Sequence, residues 1–113
     1  GNAGHVVSLA ADHVGRGSED LGRLLARGLI EALGEVAPLP THLILYSSGI
    51  LLAAEGSDCV EPLRALERQG VKLLICGTCV DYYRKKGAIR AGTITSMLTI
   101  LETLTRAGKI IAP

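Results

Sequence analysis

The chain has 113 residues, 48% of them hydrophobic, with 12 basic and 11 acidic side chains, three Tyr, and neither Phe nor Trp. One domain of this length buries roughly two-thirds of the surface its unfolded chain exposes, so it needs no disulfide staples. Balanced charge and scarce aromatic rings exclude a nucleic-acid footprint, and no apolar run approaches the roughly 20 residues of a membrane helix.

Short apolar runs alternate with helical periods, which predicts a mostly parallel sheet with helices on both faces. Gly1-Asn2-Ala3 is given no weight, as a remnant that need not belong to the natural chain, and residues 1–113 read as a single domain. His5 to Ala10 reads as the first strand, broken by Gly15-Arg16-Gly17. Ser18 then offers a helix cap, with Glu19 and Asp20 where the positive helix end favours acids. Leu21, Leu24, Leu25, Leu29 and Leu33 recur at helical spacing over about four turns, and Gly34 is the stop. Pro38 and Pro40 precede a second strand, Leu43 to Tyr46, closed by Ser47-Ser48-Gly49, and Ile50 to Ala54 reads as a short helical or irregular piece.

Asp58 and Glu61 have capping-box spacing for a second helix, which tolerates Pro62 near its first turn and ends at Gly70. Val71 to Ile75 is a third strand, apolar enough to be covered on both faces. A short helix around Val80 to Arg84 follows, then the basic loop Lys85-Lys86-Gly87. Thr95 or Ser96 can cap a last helix with apolar positions Ile94, Met97, Leu98, Leu101 and Leu104, before a short strand Lys109-Ile110-Ile111. Apolar surface beyond the needs of the core is expected to lie between subunits. There is no internal repeat, linker or low-complexity segment.

Chemistry concentrates at Cys76-Gly77-Thr78-Cys79, where a buried strand hands over to a helix. Ligands gather beyond the carboxyl ends of strands in open α/β sheets. Free N–H groups at a helix start stabilise a thiolate, and Arg84, Lys85, Lys86 and Arg90 are close enough in sequence to add a positive field. A thiolate attacks sulfur, selenium or a disulfide, and a second cysteine three residues on can resolve or shield the first. Against this stands a structural reading, since free cysteine is often core filler.

Zinc needs four ligands, and the chain has no second Cys-x-x-Cys and no paired His. A thioredoxin-type site is disfavoured by the absence of Trp and of a proline loop after the motif, and by the motif's place after the third strand. Cys59, near the start of the second helix, reads as packing. Gly15-x-Gly17-x-x-Asp20 lacks the third glycine of a dinucleotide fingerprint, and no Walker Lys-Ser/Thr pair occurs. A phospho-receiver domain needs an aspartate where Cys76 stands. His5, His13 and His42 are scattered, although His13 and Asp12 share the sheet edge of the cysteines. No signal-peptide pattern opens the chain, and three cysteines do not make a secreted disulfide scaffold, so a reducing cytoplasm is the expected compartment.

Four stretches in this order carry a resemblance: Gly15 to Gly22, Ser48-Gly49-Ile50 through Glu55-Gly56-Ser57, the cysteine turn, and Gly92 to Met97. From about Val6 to Ile111 the chain resembles the DsrE-like sulfur-relay family, and within it the C-terminal domain of the YedF-type proteins associated with selenium metabolism. That subgroup often has Asn where this chain has Ser96, and its members usually carry a small sulfur-carrier domain ahead of this one, which is not among these residues. The resemblance implies a three-layer α/β/α domain with about five mostly parallel strands that forms trimers or hexamers. No bound cofactor or metal is expected, and the resemblance implies a carrier protein for sulfur or selenium as donor or acceptor partner. In several members a cysteine just past the third strand accepts sulfur as a persulfide and passes it on, in the manner of a sulfurtransferase. That position maps to Cys76, with Cys79 as companion thiol, while Cys59 matches no functional cysteine of the family. The alternatives left open are a non-catalytic oligomeric binding module with structural thiols and a dithiol redox sensor.

Overall fold

Five parallel strands form one sheet in the order β4-β3-β2-β1-β5. They are β1 His5–Leu9, β2 His42–Leu45, β3 Lys72–Cys76, β4 Thr93–Thr95 and β5 Lys109–Ile111. Four α-helices connect them: α1 Glu19–Leu33, α2 Val60–Arg68, α3 Gly77–Tyr82 and α4 Met97–Arg106, with a 3-10 segment at Ser47–Ala53 between β2 and α2. This computed structural model describes residues 4–113; Gly1–Ala3, set aside above, lie outside the described residues.

The first four strands step in one direction across the sheet, and the chain then returns past all of them to place β5 beside β1. Parallel crossovers are right-handed, so this reversal puts α4 on the face opposite α1 and α2, giving three layers. β2 and β3 run apolar because both of their faces are covered: Leu43, Ile44, Leu45, Leu73, Ile75 and Cys76 are all buried. None of the described helices is long and apolar enough to cross a membrane.

Ser18 caps α1 as its sequence position predicts, accepting the N–H of Leu21 at 3.1 Å, and Ser96 caps α4 through Thr99 at 3.2 Å. The Asp58–Glu61 capping box does not form. Cys59 stands at the N-cap of α2 with no side-chain capping bond, because the Asp58 carboxylate is drawn instead to Arg27 of α1 at 3.2 Å. α3 begins three residues earlier than the sequence suggests, and β4 is too short and too exposed for its sequence to announce it.

Two helices bury a different face from the one their leucines mark. In α1 the buried residues are Gly22, Ala26, Ile30 and Leu33, while Leu24 is 71% exposed. Small residues let the helix lie close: a Cβ on Gly22 would stand 2.8 Å from Cβ of His13. In α4 the buried residue is Ile100, at 2% exposure, whereas Met97, Leu98 and Leu101 face outward and Leu98 is 68% exposed. Hydrophobic periodicity locates a helix but does not say which of two apolar stripes meets the sheet.

Candidate functional site

The turn after β2 and the turn after β3 meet because their strands are parallel neighbours in register, with Leu45 beside Ile75. The first turn is fastened to the end of β1: Tyr46 N–H donates to the Leu9 carbonyl at 3.2 Å, and Ser48 Oγ accepts the Asp12 N–H at 3.2 Å. Ser47 adopts a left-handed backbone, φ 52°, uncommon for a residue with a side chain. Its N–H donates to Sγ of Cys79 at 3.0 Å. Strained backbone of this kind persists where surrounding structure dictates it and gathers at functional sites.

Cys76 ends β3 and is wholly buried, with 0% exposure, and α3 starts directly behind it. One turn on, Cys79 is partly exposed. Gly77 serves here through its lack of bulk, since a Cβ would press within 3.2 Å of the Thr95 carbonyl and 3.3 Å of Ile94. The two free thiols stand three positions apart, Cys76 at the end of β3 and Cys79 within α3. Cys79 opens into a recess of about 310 Å³ lined by Tyr46, Ser47, Thr78, Tyr82 and Tyr83. Tyr82 and Tyr83 meet edge to face with ring centres 5.2 Å apart, and Tyr82 is 80% exposed at the mouth.

The electrostatics differ from the sequence expectation of a thiolate favoured by a helix end and nearby cations. Burial pushes the Cys79 thiol above its ordinary value, and the Cys76 thiol adds to the rise; the N–H groups of Ser47 and of Cys79 itself oppose it. The cations of the loop after α3 have no part in this balance. Arg90 is held by Glu55 at 3.4 Å and by the Gly87 carbonyl at 2.8 Å. Arg84 takes a left-handed φ of 55° where α3 ends.

Asp12 and His13 share the carboxyl edge of the sheet, as expected, and bond each other at 2.9 Å. Asp12 lines a separate recess of about 400 Å³ with Arg23, Ser57, Asp58 and Cys59. Burial, with the nearby Asp58 carboxylate, pushes the Cys59 thiol up to about 11. Among the described residues no three His, Cys, Asp or Glu side chains converge as a metal site requires. Sequence reasoning singled out neither Ser47 nor the three tyrosines as parts of the cysteine site. The available signal was topological: segments that follow adjacent parallel strands share one sheet edge.

Three solved structures share this architecture over almost their whole lengths. The ychN protein from E. coli superposes with a TM-score of 0.72 at 22% identity, covering 97% of this chain and 99% of that one. The fold is DsrE-like. Protein MTH1491 from Methanobacterium thermoautotrophicum gives 0.71 at 16% identity, with 99% and 100% covered. BT1422 from Bacteroides thetaiotaomicron gives 0.69 at 14%, with 96% and 94% covered. Both of these are described as proteins of unknown function. No protein-family model and no curated protein matches the chain. Identities this low establish the DsrE-like fold alone, and function has to be argued from the site.

Proposed function

We propose that this DsrE-like domain is a carrier of sulfane sulfur or selenium, of sulfurtransferase type, working through a cysteine persulfide at the Cys76–Cys79 turn. The observation that carries the reading is the pairing of two thiols at the carboxyl end of a buried parallel strand. One is sealed in the core and the other opens on a recess beside a backbone N–H donor.

Such transfer is redox-neutral. A thiolate attacks the outer sulfur of a donor persulfide, the donor's inner sulfur leaves as a thiolate, and the carrier ends as a persulfide. No cofactor or metal is needed for that step. The partner is a carrier protein for sulfur or selenium, as in the YedF-type subgroup that the sequence resembles, and the setting is a reducing cytoplasm, where thiols stay free. The outward leucine stripes of α1 and α4 support a homo-oligomer, a trimer or hexamer by the same resemblance.

The test is intact-mass spectrometry of the reduced native protein after exposure to a sulfur donor, with a Cys76→Ser/Cys79→Ser double variant as control. Gain of one sulfur atom, lost in the double variant, is the expected result. Native protein that takes up no sulfur overturns the reading. A second reading, a dithiol switch, is favoured by two free thiols three positions apart at one turn. It predicts loss of two hydrogens within the same peptide on mild oxidation.

A further inference from the structure

We infer that Cys79, rather than Cys76, is the thiol that takes the transferred atom, its sulfur held by the Ser47 N–H while the tyrosine-lined recess receives the donor. This rests on the carrier reading above and assigns the two thiols different roles within it. The sequence resemblance maps the receiving position to Cys76; the geometry distributes the work otherwise.

Displacement at sulfur requires an approach along the line of the breaking S–S bond, so the attacking sulfur must face open space. Cys76, at 0% exposure, sits among the buried residues of the sheet with β4 alongside and α3 behind it. A donor could reach it only after α3 had moved. Cys79 needs no such movement, because it already lines the recess. The recess is also large enough, since about 310 Å³ accommodates a side-chain-sized group beside the sulfur. Tyr46, Tyr82 and Tyr83 form its walls with Ser47 and Thr78, and among the described residues no carboxylate, Lys or Arg lines it. That lining suits a persulfide carried on an organic group better than a small, highly charged inorganic ion, which would surrender its hydration to uncharged walls.

Ser47 supplies the fixed polar contact. Its N–H is aimed at the Cys79 sulfur at 3.0 Å from a left-handed backbone. The segment that carries it is tied to β1 by Tyr46 and Ser48, so the donor does not drift. A preorganised N–H stabilises negative charge on the Cys79 sulfur before attack, and again when an acceptor takes the outer sulfur and Cys79 is released as a thiolate. In the loading step the Cys79 thiolate bonds to the outer sulfur of R–S–SH. The bond between the two donor sulfurs breaks, and R–S⁻ departs and takes up a proton from water. Unloading to an acceptor thiolate is the same exchange in reverse, so the cycle balances without oxidant or reductant. Cys76 is a positioning residue: buried at the end of β3, it anchors the start of α3, the helix that carries Cys79.

The experiment loads wild type, Cys79→Ser and Cys76→Ser with an uncharged alkyl persulfide and reads the added sulfur by mass. Fragment ions of the tryptic peptide Leu73–Arg84 then locate it. The expected result is sulfur on Cys79 in the wild type, loss of uptake in Cys79→Ser, and retained uptake in Cys76→Ser. Uptake that survives in Cys79→Ser and disappears in folded Cys76→Ser overturns the inference while leaving the carrier reading intact. Wild type that takes up no sulfur overturns both. Because Cys76→Ser alters a core position, a second measurement on unmutated protein decides independently. Brief alkylation by iodoacetamide under native conditions modifies Cys79 before Cys76, and the opposite order overturns the inference. The positioning role of Cys76 is read in the pH dependence of that alkylation. Cys76→Ala removes an influence that raises the Cys79 thiol, so its midpoint moves to lower pH.

Discussion

The backbone N–H of Ser47 and the sulfur of Cys79 lie 3.0 Å apart although 32 positions separate them in the chain. The bond joins the turn after β2 to the first turn of α3, and it fixes a partly exposed thiol against a backbone donor that no substitution short of proline removes. What can be displaced is the segment that presents the donor.

Gly49 controls that segment. A Cβ there would collide with the Leu9 carbonyl and stand 3.4 Å from the Ala11 nitrogen, both of them backbone atoms that cannot swing aside. Gly49→Ala therefore pushes the 3-10 segment off the end of β1, with an expected destabilisation of about 1–3 kcal/mol. Loss of the Ser47 contact removes an influence that lowers the Cys79 thiol, so its alkylation midpoint moves to higher pH. Urea titration and the pH profile of iodoacetamide labelling check both, and an unchanged profile in the folded variant counts against the Ser47 contact as a tuning device.

Cys59 gives a separate prediction at alkaline pH. Its thiol is pushed from the ordinary 9.0 up to about 11, chiefly by burial and then by the neighbouring Asp58 carboxylate. A group raised in the folded state favours folding fully below its unfolded value, and that contribution fades as pH climbs through the folded value. Stability should accordingly decline between pH 9 and about 11 for this reason, and Cys59→Ala should flatten the decline while lowering stability at neutral pH through lost packing. Urea midpoints measured across this range decide it; parallel curves for the two proteins would remove Cys59 as the cause.

Leu98 and Leu101 test the outward face of α4. At 68% and 55% exposure they contribute little to the fold of one chain. Leu98→Glu and Leu101→Glu together should change the stability of the isolated domain by under about 1 kcal/mol. The same pair of charges placed in a subunit interface breaks it, so light scattering should report a smaller species than the wild type. An unchanged assembly would show that α4 is not the contact face.

Much of the fold was legible because its signals are local. The serine caps of α1 and α4, the apolar runs of β1, β2 and β3, and the stop at Gly34 each act within a few residues. The alternation of strands and helices, together with right-handed crossovers, leaves few topologies to choose from. β4 escaped because it is three residues long at the sheet edge, with two of them exposed and no apolar run to mark it. The capping box at Asp58 failed because Arg27, on another helix, competes for the carboxylate.

The cysteine site divides along the same line. Sequence alone determined that two thiols three residues apart stand at the end of a strand and the start of a helix, since both facts depend on neighbours in the chain. Tertiary structure decided that Cys76 is sealed while Cys79 opens on three tyrosines, and that the N–H beside the sulfur comes from Ser47. It also decided that Leu21, Leu24 and Leu25 of α1 and Leu98 and Leu101 of α4 face away from the core. Burial and electrostatics are sums over atoms brought together by packing, and spacing along one chain does not contain them.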